Sequence, residues 1–494
     1  MMEDWCWDML ESLKIKENHV KTLQEIRVRL HESSNLETAV TNRLLSAPEI
    51  FECVEDSADG SNSSERLDLA SDILSICMSN LSLVQNDFSV LKRSIIHTNS
   101  KIRSLALYTI LRELEKHYDE SVDIDDDFLK HVLKAIQDEE TSVGIPAVGI
   151  LSLLLQHNLD KTFVKDSLLQ ALQNNAIIRC RVYEVAVNLA KRSSETMGLV
   201  EYLLDYALAE LDNNDVLLQV NIMEILVSLT EQNHGFSFLE QRHVFEVISR
   251  RVEARNENKM DWLLVPGIMK FLGKIATLHP QKIIVGYPHM IKSLFKCIIS
   301  GDHSILPAAF DTMANLIQTQ EGKMLLEAQY CEELQEIFEQ FASYLSKLTS
   351  DLKIRLFKTL AIIFTVDGKS TQEITYILQK WFRYLSGGTN MQFLMEFCRN
   401  PFSDIKVSCL SFIKSLCHYD WGIVALKDTA GLLEHLLDRK VEYNHDTKYA
   451  KYEVIKLLAD STVFDMQTQL QLKSYINDGP YFVQSCMEIA FEGN

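Results

Sequence analysis

Glycine and proline are scarce in this chain, at 17 and 8 of 494 residues. These counts are roughly half and roughly a third of the average shares of the two residues. Hairpin turns and βα loops consume glycine and proline, so their shortage argues against a β-rich or α/β fold and favours helices joined by short links. The chain is too long for one ordinary core, and we expect several domains or an elongated array.

Long hydrophobic runs are also missing. The longest apolar stretch, Val143–Leu155, has thirteen residues and is shorter than the ~20 residues needed to cross a bilayer. The first twelve residues, MMEDWCWDMLES, are acidic and lack the basic region that begins a secretory signal. We therefore expect a soluble intracellular protein of the cytoplasm, with the nucleus as a second location and no membrane partner.

Basic residues are fewer than acidic residues in this chain. Lysine and arginine number 49 against 69 aspartates and glutamates, for a formal net charge of −20. An acidic chain is poorly suited to a nucleic-acid backbone, which is neutralised by lysine and arginine. We therefore expect no nucleic-acid partner, whereas a basic protein partner stays compatible with the charge.

The sequence does contain a repeated helical pattern. In IIRCRVYEVAVNLAKR, residues 177–192, the apolar positions Ile178, Val182, Val185 and Leu189 form one face of a helix. Similar spacing recurs from eight further anchor residues at an average interval of about 43 residues, the period of HEAT and armadillo repeats. Those anchors are Ile102, Val143, Val216, Val265, Ile305, Leu352, Ile405 and Ala450.

This pattern predicts an all-α fold, an α-solenoid of HEAT/armadillo-type helical repeats. Amphipathic runs between the anchors, such as DDFLKHVLKAIQ, would form outer partners that bury their apolar faces by stacking. Asn or Asp in turns such as QNNA and DNND would cap the next helix. We assign residues 1–90 to N-terminal capping helices with a flexible loop near 55–66, and residues 91–494 to the solenoid with a C-terminal cap. A single large globular helical domain is the alternative.

The sequence contains no complete match to the catalytic or cofactor-binding motifs that we compared with it. TVDGKSTQ contains Gly368, Lys369 and Ser370, the end of a phosphate-binding loop, but Ile363 stands where that motif requires glycine. The chain contains neither Gly-x-Ser-x-Gly nor Gly-x-Gly-x-x-Gly. We therefore expect no enzyme, no catalytic residues and no cofactor. An enzyme with a divergent helical active site is the competing reading.

The ten cysteines include no Cys-x-x-Cys pair. Cys398, Cys409, Cys417 and His418 lie near one another, but their spacings match no zinc pattern. We interpret the thiols as reduced side chains on buried helix faces and expect no metal.

Several longer strings go beyond a generic repeat. They include RCRVYEVAV, LVPGIMKFLGKIATL, DLKIRLFKTLAIIF, NPFSDIKVSCLSFIKSL and LLDRKVEYNHDTKYAKYEVIKLLADS. In this order they resemble the 26S proteasome non-ATPase regulatory subunit 5 family over about residues 90–485. The similarity is best in the C-terminal third, where Asp438-Arg439, Ala450-Lys451-Tyr452-Glu453 and Gly479-Pro480-Tyr481 stand together.

The resemblance implies a helical-repeat chaperone for assembly of the base of the 19S regulatory particle. Such a protein would bind the C-terminal domain of ATPase regulatory subunit 7, in a module with ATPase regulatory subunit 4 and non-ATPase regulatory subunit 2. It would dissociate before the mature 26S proteasome forms, and we expect it to be a monomer when free. A generic armadillo/HEAT scaffold or transport adaptor is the alternative function.

The repeat also predicts which residues would contact a partner. Positions three, six and ten after an anchor are expected to point away from the buried face. The candidate partner-binding residues are Arg181, Glu184, Asn188, Asp311, Asn315, Arg355, Lys358, Ser411, Ser415, Glu453 and Lys456.

Overall fold

The computed structural model describes residues 2–32, 38–55, 63–79, 89–116, 125–253 and 259–482. Within these ranges the chain is mainly helical and has no strand. It divides into two compact units, Met1–Gly235 and Phe236–Asn494, which are described separately as unit 1 and unit 2.

Unit 1 begins with short helices and continues as a regular stack. Its helices are α1 (Met2–Leu13), α2 (His19–Glu32), α3 (Thr38–Ser46), α4 (Pro48–Glu55), α5 (Ser63–Ser79), α6 (Ser89–Ile95), α7 (Ser100–Lys116), α8 (Asp126–Ala135), α9 (Thr141–Leu154), α10 (Thr162–Ala171), α11 (Ala176–Ala190), α12 (Ser194–Ala209) and α13 (Val216–Leu229). Helix α14 (Asn233–Gln241) contains the boundary between the units.

Unit 2 continues with helices of more variable length. They are α15 (Val244–Glu253), α16 (Lys259–Leu278), α17 (Pro280–Gly286), α18 (Pro288–Ser300), α19 (Leu306–Ile317), α20 (Gln320–Lys347), α21 (Ser350–Ile363), α22 (Gln372–Ser386), α23 (Met395–Cys398), α24 (Ser403–Leu416), α25 (Asp420–Lys427), α26 (Leu432–Leu437), α27 (His445–Ala459) and α28 (Met466–Asp478). Helix α20 is broken at Tyr330, where the backbone leaves helical geometry.

Each unit has one row of successively packed helices, here called the ladder helices. In unit 1 they are α7, α9, α11 and α13; in unit 2 they are α16, α19, α21, α24 and α27. Helices α6, α8 and α10, and in unit 2 α15, α18, α20 and α22, form a second packed row. The nine predicted anchors fall on, or beside the first residue of, the nine ladder helices, so the predicted all-α helical-repeat fold is confirmed.

Capping residues explain where several of these helices begin. The side chains of Asn175 and Asp215 accept backbone hydrogen bonds in the first turns of α11 and α13, as the turns QNNA and DNND predict. Pro307 occupies the first turn of α19, where its missing N–H removes no helical hydrogen bond. Glu140 and Phe402, which precede α9 and α24, make no side-chain cap.

The anchor at Val216 is displaced by two residues from the buried face. Leu218, Ile222 and Leu226 are buried on α13, whereas Val216 is only half-buried. Val216 and Leu218 each begin an apolar series at the repeat spacing, so the pattern alone does not choose between them. The Asp215 cap and the packing against α11 select Leu218.

The anchor at Ala450 is displaced by three residues. The buried face of α27 consists of Thr447, Lys451, Val454 and Leu458, and Ala450 is half-buried. A hydrophobic pattern cannot recognise this face because two of its members are polar. Burial of the Lys451 ammonium is compensated by hydrogen bonds to backbone carbonyls.

The flexible loop expected near 55–66 lies mostly outside the described residues. Glu55 ends α4 and residues 63–66 belong to α5, while residues 56–62 lie outside the described ranges. The division near residue 90 stays a prediction, because the two compact units meet between Gly235 and Phe236.

Candidate protein-binding surface

The exposed side of the ladder helices, here called the ladder face, carries most of the predicted contact residues. In unit 2, Asp311 on α19 and Arg355 on α21 form an ion pair across neighbouring helices, with Nε of Arg355 3.0 Å from Oδ1 of Asp311. The hydrogen bond from Arg355 to Asp311 raises the pKa of the guanidinium further above its usual value. Both side chains remain more than a third exposed, so a partner could reach this pair.

A second pair joins the last two ladder helices. Lys414 Nζ on α24 lies 2.8 Å from Oε2 of Glu453 on α27. This hydrogen bond lowers the pKa of the Glu453 carboxyl. Lys456 is exposed one turn further along α27, and its charge also favours the ionised form of Glu453.

Three further candidates lie on the same unit. Lys358 and Ser411 are exposed, and Asn315 is half-buried. The first turns of α21 and α24 add exposed aspartates, Asp351 and Asp404. The ladder face of unit 2 therefore carries both signs of charge.

In unit 1, Glu184 and Asn188 lie on α11. The Nδ2 atom of Asn188 donates a 3.2 Å hydrogen bond to Oγ of Ser152 on α9, which ties two ladder helices together. Glu184 is exposed, yet the protein around it displaces water and raises the pKa of its carboxyl. Among the residues that the structure describes, no lysine or arginine forms an ion pair with Glu184.

The expectation that Arg181 points away from the buried face is wrong. Only 5% of the residue is exposed, and Nη1 donates hydrogen bonds to the carbonyl oxygens of Ile136 and Asp138. Three residues advance a helix by about 300°, which returns a side chain to within about 60° of its anchor. Arg181 therefore lies at the packing interface and serves the fold.

Ser415 is the second candidate whose predicted exposure is wrong. It is buried, and its hydroxyl donates a hydrogen bond of 2.7 Å to the carbonyl oxygen of Phe412. Helix α24 packs against both α21 and α27, so its tenth position after the anchor is covered. For the nine other candidates, partner contact stays a prediction.

Exposed apolar side chains are the feature that sequence reasoning missed. Tyr108, Ile145, Ile177 and Leu217 are 47%, 54%, 58% and 70% exposed, one on each ladder helix of unit 1. We call these four residues the apolar stripe. The doubled apolar pairs Ile177-Ile178 and Leu217-Leu218 were a visible signal, because neighbouring side chains on a helix point about 100° apart and the core here covers only one of each pair.

Among the described residues, the cysteine cluster and one open pocket are the remaining places where metal or catalytic chemistry could be sought. No group of three His, Cys, Asp or Glu side chains in the described ranges is arranged to hold a metal ion. Cys398, Cys409 and Cys417 are buried, as the core-thiol interpretation predicts, and burial raises the pKa of Cys417 to about 12. An open pocket of about 640 Å³ in unit 1 is lined in part by Arg103 and Asp138, which already form an ion pair.

No single helix within the described ranges combines the length and apolar character of a membrane span. Helices α17 and α18 meet those criteria only when taken together, and they bend by 85° at the break between them.

Stacked helix pairs with an exposed ladder face define a helical-repeat protein of the HEAT/armadillo class. A solved structure with a similar fold is that of the karyopherin Kap121p bound to Pho4p, with a TM-score of 0.51 and 11% sequence identity. The similarity covers 94% of this chain and 50% of the karyopherin.

The chain belongs to the family described as proteasome non-ATPase 26S subunit, whose model matches residues 2–494. It is 36% identical to the 26S proteasome non-ATPase regulatory subunit 5 of Drosophila melanogaster, over 100% of this chain and 99% of that relative. The human protein of the same name is 28% identical over 82% of each chain. The family resemblance seen in the sequence strings is thus confirmed.

Proposed function

We propose that this chain is an assembly chaperone for the base of the 19S regulatory particle. It binds the C-terminal domain of ATPase regulatory subunit 7, within a module that also contains ATPase regulatory subunit 4 and non-ATPase regulatory subunit 2. It dissociates before the mature 26S proteasome forms. Family membership along the whole chain supports a role connected with the proteasome.

One observation connects membership of the family with a particular binding surface. Five of the strings that resemble the family coincide with ladder helices α11, α16, α21, α24 and α27. Their outward residues line the ladder faces, where charged side chains stand exposed beside neighbouring helices. Much of the family-specific sequence therefore lies on helices that could present a binding surface.

The dimensions of one unit fit such a partner. Adjacent packed helices lie about 10 Å apart, so four or five ladder helices span about 30–40 Å. A folded domain of about 80 residues has a radius of gyration near 12 Å and hence a comparable width. The ladder face of a single unit is wide enough to hold it.

The proposed mechanism needs no bond to be made or broken. While the ladder face covers the ATPase domain, the tail of that subunit is kept from docking on the 20S core. The half-exposed ion pairs of unit 2 contribute little individually, which suits a contact that a competing surface must displace. On this proposal the protein is not an enzyme, uses no cofactor, is monomeric when free and works in the cytoplasm and nucleus.

The test is reconstitution with purified components. The full chain is mixed with the isolated C-terminal domain of regulatory subunit 7, and the complex is measured by size-exclusion chromatography with light scattering. The matching domain of an ATPase subunit outside the module is the control. We expect a one-to-one complex only with the subunit 7 domain, and inhibition of ATPase-tail docking on the 20S core. Absence of that complex, or unchanged docking, would refute the proposal.

A further inference from the structure

Every ladder helix of unit 1 carries an exposed member of the apolar stripe, whereas α19 and α24 of unit 2, both described along their whole length, carry no large exposed apolar residue. Ile177 and Leu217 are exposed in the first turns of α11 and α13. In unit 2, α16, α21 and α27 also carry exposed apolar residues, respectively Leu263, Ile362 and Tyr449. The first turns of α21 and α24 present the exposed carboxylates of Asp351 and Asp404. Exposed leucine and isoleucine in successive repeats form a surface that favours association, because covering them removes apolar area from water.

Hydrogen bonds between the ladder helices make the surface beneath the stripe continuous. Ser104 Oγ on α7 donates to the carbonyl oxygen of Ser142 on α9 at 2.9 Å. The Asn188–Ser152 bond joins α9 to α11 at 3.2 Å. Helices α11 and α13 also pack directly together. The four apolar side chains are therefore carried by one connected layer.

Glu184 adds a charge to this apolar surface. It follows Ile177 by seven residues, two turns along the same side of α11. The Cys180 thiol lies between them in sequence; burial is the main cause of its raised pKa, and the Glu184 charge adds to the shift. The protein surrounding Glu184 disfavours its ionised form, and no described lysine or arginine is paired with it. A cation brought by a partner would supply the missing countercharge.

The spacing of the stripe favours a helical partner. Adjacent ladder helices lie about 10 Å apart, and an α-helix advances about 10.5 Å in seven residues. Apolar residues at every seventh position would therefore meet successive members of the stripe from one side. An extended chain needs about three residues for the same distance, and side chains three apart point to opposite faces.

We propose that the apolar stripe and Glu184 form a docking site for one amphipathic α-helix of a protein partner. That helix carries apolar residues at seven-residue intervals and a lysine or arginine opposite Glu184. This inference deepens the proposed function and rests on it for the owner of the helix, the ATPase C-terminal domain. Other occupants are distinguished by the experiment.

The probe is a synthetic 21-residue helical peptide with leucine at every seventh position and one central lysine. A second peptide differs only in having glutamate at the centre. Binding of both to the full chain is measured by fluorescence anisotropy, using wild type, Glu184→Lys and the double variant Ile177→Asp with Leu217→Asp. The matched control is Leu199→Asp with Tyr206→Asp, because both side chains are similarly exposed on α12.

We expect wild type to prefer the lysine peptide by about fivefold or more, and Glu184→Lys to reverse that preference. The Ile177/Leu217 variant should bind the lysine peptide at least about tenfold more weakly, because two apolar contacts are lost. The α12 control should stay within about twofold of wild type. Equal binding of the two peptides, or an equal loss in the α12 control, would overturn the docking site. Thermal melts establish that each variant is folded.

A parallel measurement uses the purified ATPase C-terminal domain in place of the peptides. If the domain binds wild type and the Ile177/Leu217 variant equally, the docking site is wrong while the proposed function stands. If the peptides discriminate as expected but the domain fails to bind wild type, the proposed function is wrong while the docking site stands.

Discussion

Arg181 on α11 donates a hydrogen bond of 2.9 Å to the carbonyl oxygen of Ile136, the residue that ends α8. The same arrangement recurs in unit 2. Lys323 donates to the carbonyl oxygen of Ile317 at the end of α19, and Lys451 donates to that of His435 in α26. Helix C-termini leave carbonyl groups unsatisfied and carry partial negative charge. Buried cations on neighbouring helices donate hydrogen bonds to these carbonyl groups and balance the partial negative charge.

Loss of the Arg181 cation should weaken unit 1. Arg181→Met removes both carbonyl hydrogen bonds and leaves the end of α8 unsatisfied, at an expected cost of about 2–4 kcal/mol in the free energy of unfolding. Arg181→Lys keeps the charge and should cost less. Urea denaturation followed by circular dichroism measures both. Glu184→Gln on the exposed side of α11 is the control, and an Arg181→Met variant as stable as that control would contradict the assignment.

Three glycines mark close approaches between consecutive helices. In each case a leucine near the end of a ladder helix is followed six residues later by glycine, at the third position of the next helix. A Cβ atom on the glycine would overlap the carbonyl oxygen of that leucine. The pairs are Leu229 and Gly235, Leu316 and Gly322, and Leu416 and Gly422.

Alanine at these positions should therefore destabilise the fold although it favours helix formation. We expect Gly322→Ala and Gly422→Ala each to cost about 1–3 kcal/mol, because the backbone must shift to relieve the overlap. Gly198 lies inside α12 with no atom near its Cβ position. Gly198→Ala should be neutral or stabilising by up to about 1 kcal/mol. Thermal unfolding of the three variants measures these changes in stability. A Gly322→Ala protein with a higher melting temperature than wild type would contradict the close approach of the helices.

The sequence predicted the repeat but not every register. Ile178 and Ile405 were recognised because their helices alternate apolar and polar residues with a clean helical period. Thr447 and Lys451 were not, because their burial depends on hydrogen bonds to carbonyls contributed by other helices. The Leu-x5-Gly spacing was present in the sequence and would have located the end of α13 at Leu229.

The surface was less predictable than the core. Exposure of Glu184 and Lys358 follows from helical geometry alone. Arg181 could not be placed in the same way, since a long cation near the boundary of a face is buried or exposed according to which carbonyl groups the neighbouring repeat offers. Which ladder residues contact a partner depends on a second molecule and is not encoded in the periodicity.

The buried lysines of unit 2 should make a contribution to stability that increases in alkaline solution. Burial lowers the pKa of Lys323 and of Lys451 to about 8, from an ordinary value of 10.5. Between these pH values each lysine binds more protons in the unfolded chain than in the folded chain, so its contribution to the free energy of unfolding increases with pH. The increase in the free energy of unfolding is at most about 3 kcal/mol per lysine over the interval between the two pKa values.

Denaturant titrations at pH 7.5, 8.5 and 9.5 measure this slope. Lys323→Met removes the titrating group, and the slope of the variant should be smaller than that of wild type. Lys358→Met is the matched control because Lys358 is exposed, and it should keep the wild-type slope. Parallel slopes for wild type and Lys323→Met would show that Lys323 keeps its ordinary pKa in the folded protein.

Substitutions in the Asp311–Arg355 pair can distinguish the contribution of the ladder face to folding from its contribution to binding. Both side chains are partly exposed, so Arg355→Asp should cost only about 1 kcal/mol or less in unfolding free energy. Exchanging the two residues, with Asp311→Arg and Arg355→Asp together, should restore most of that loss because the ion pair is re-formed. The exchange nevertheless reverses the charge pattern presented to a partner.

If this part of the ladder face contacts the ATPase domain, the exchanged protein should be as stable as wild type but bind the domain at least about fivefold more weakly. Isothermal titration calorimetry at low and high salt measures the affinity, and the difference should shrink as salt screens the charges. Full affinity in the exchanged protein would remove α19 and α21 from the interface. A loss of stability instead would mean that orientation, and not charge alone, holds the pair together.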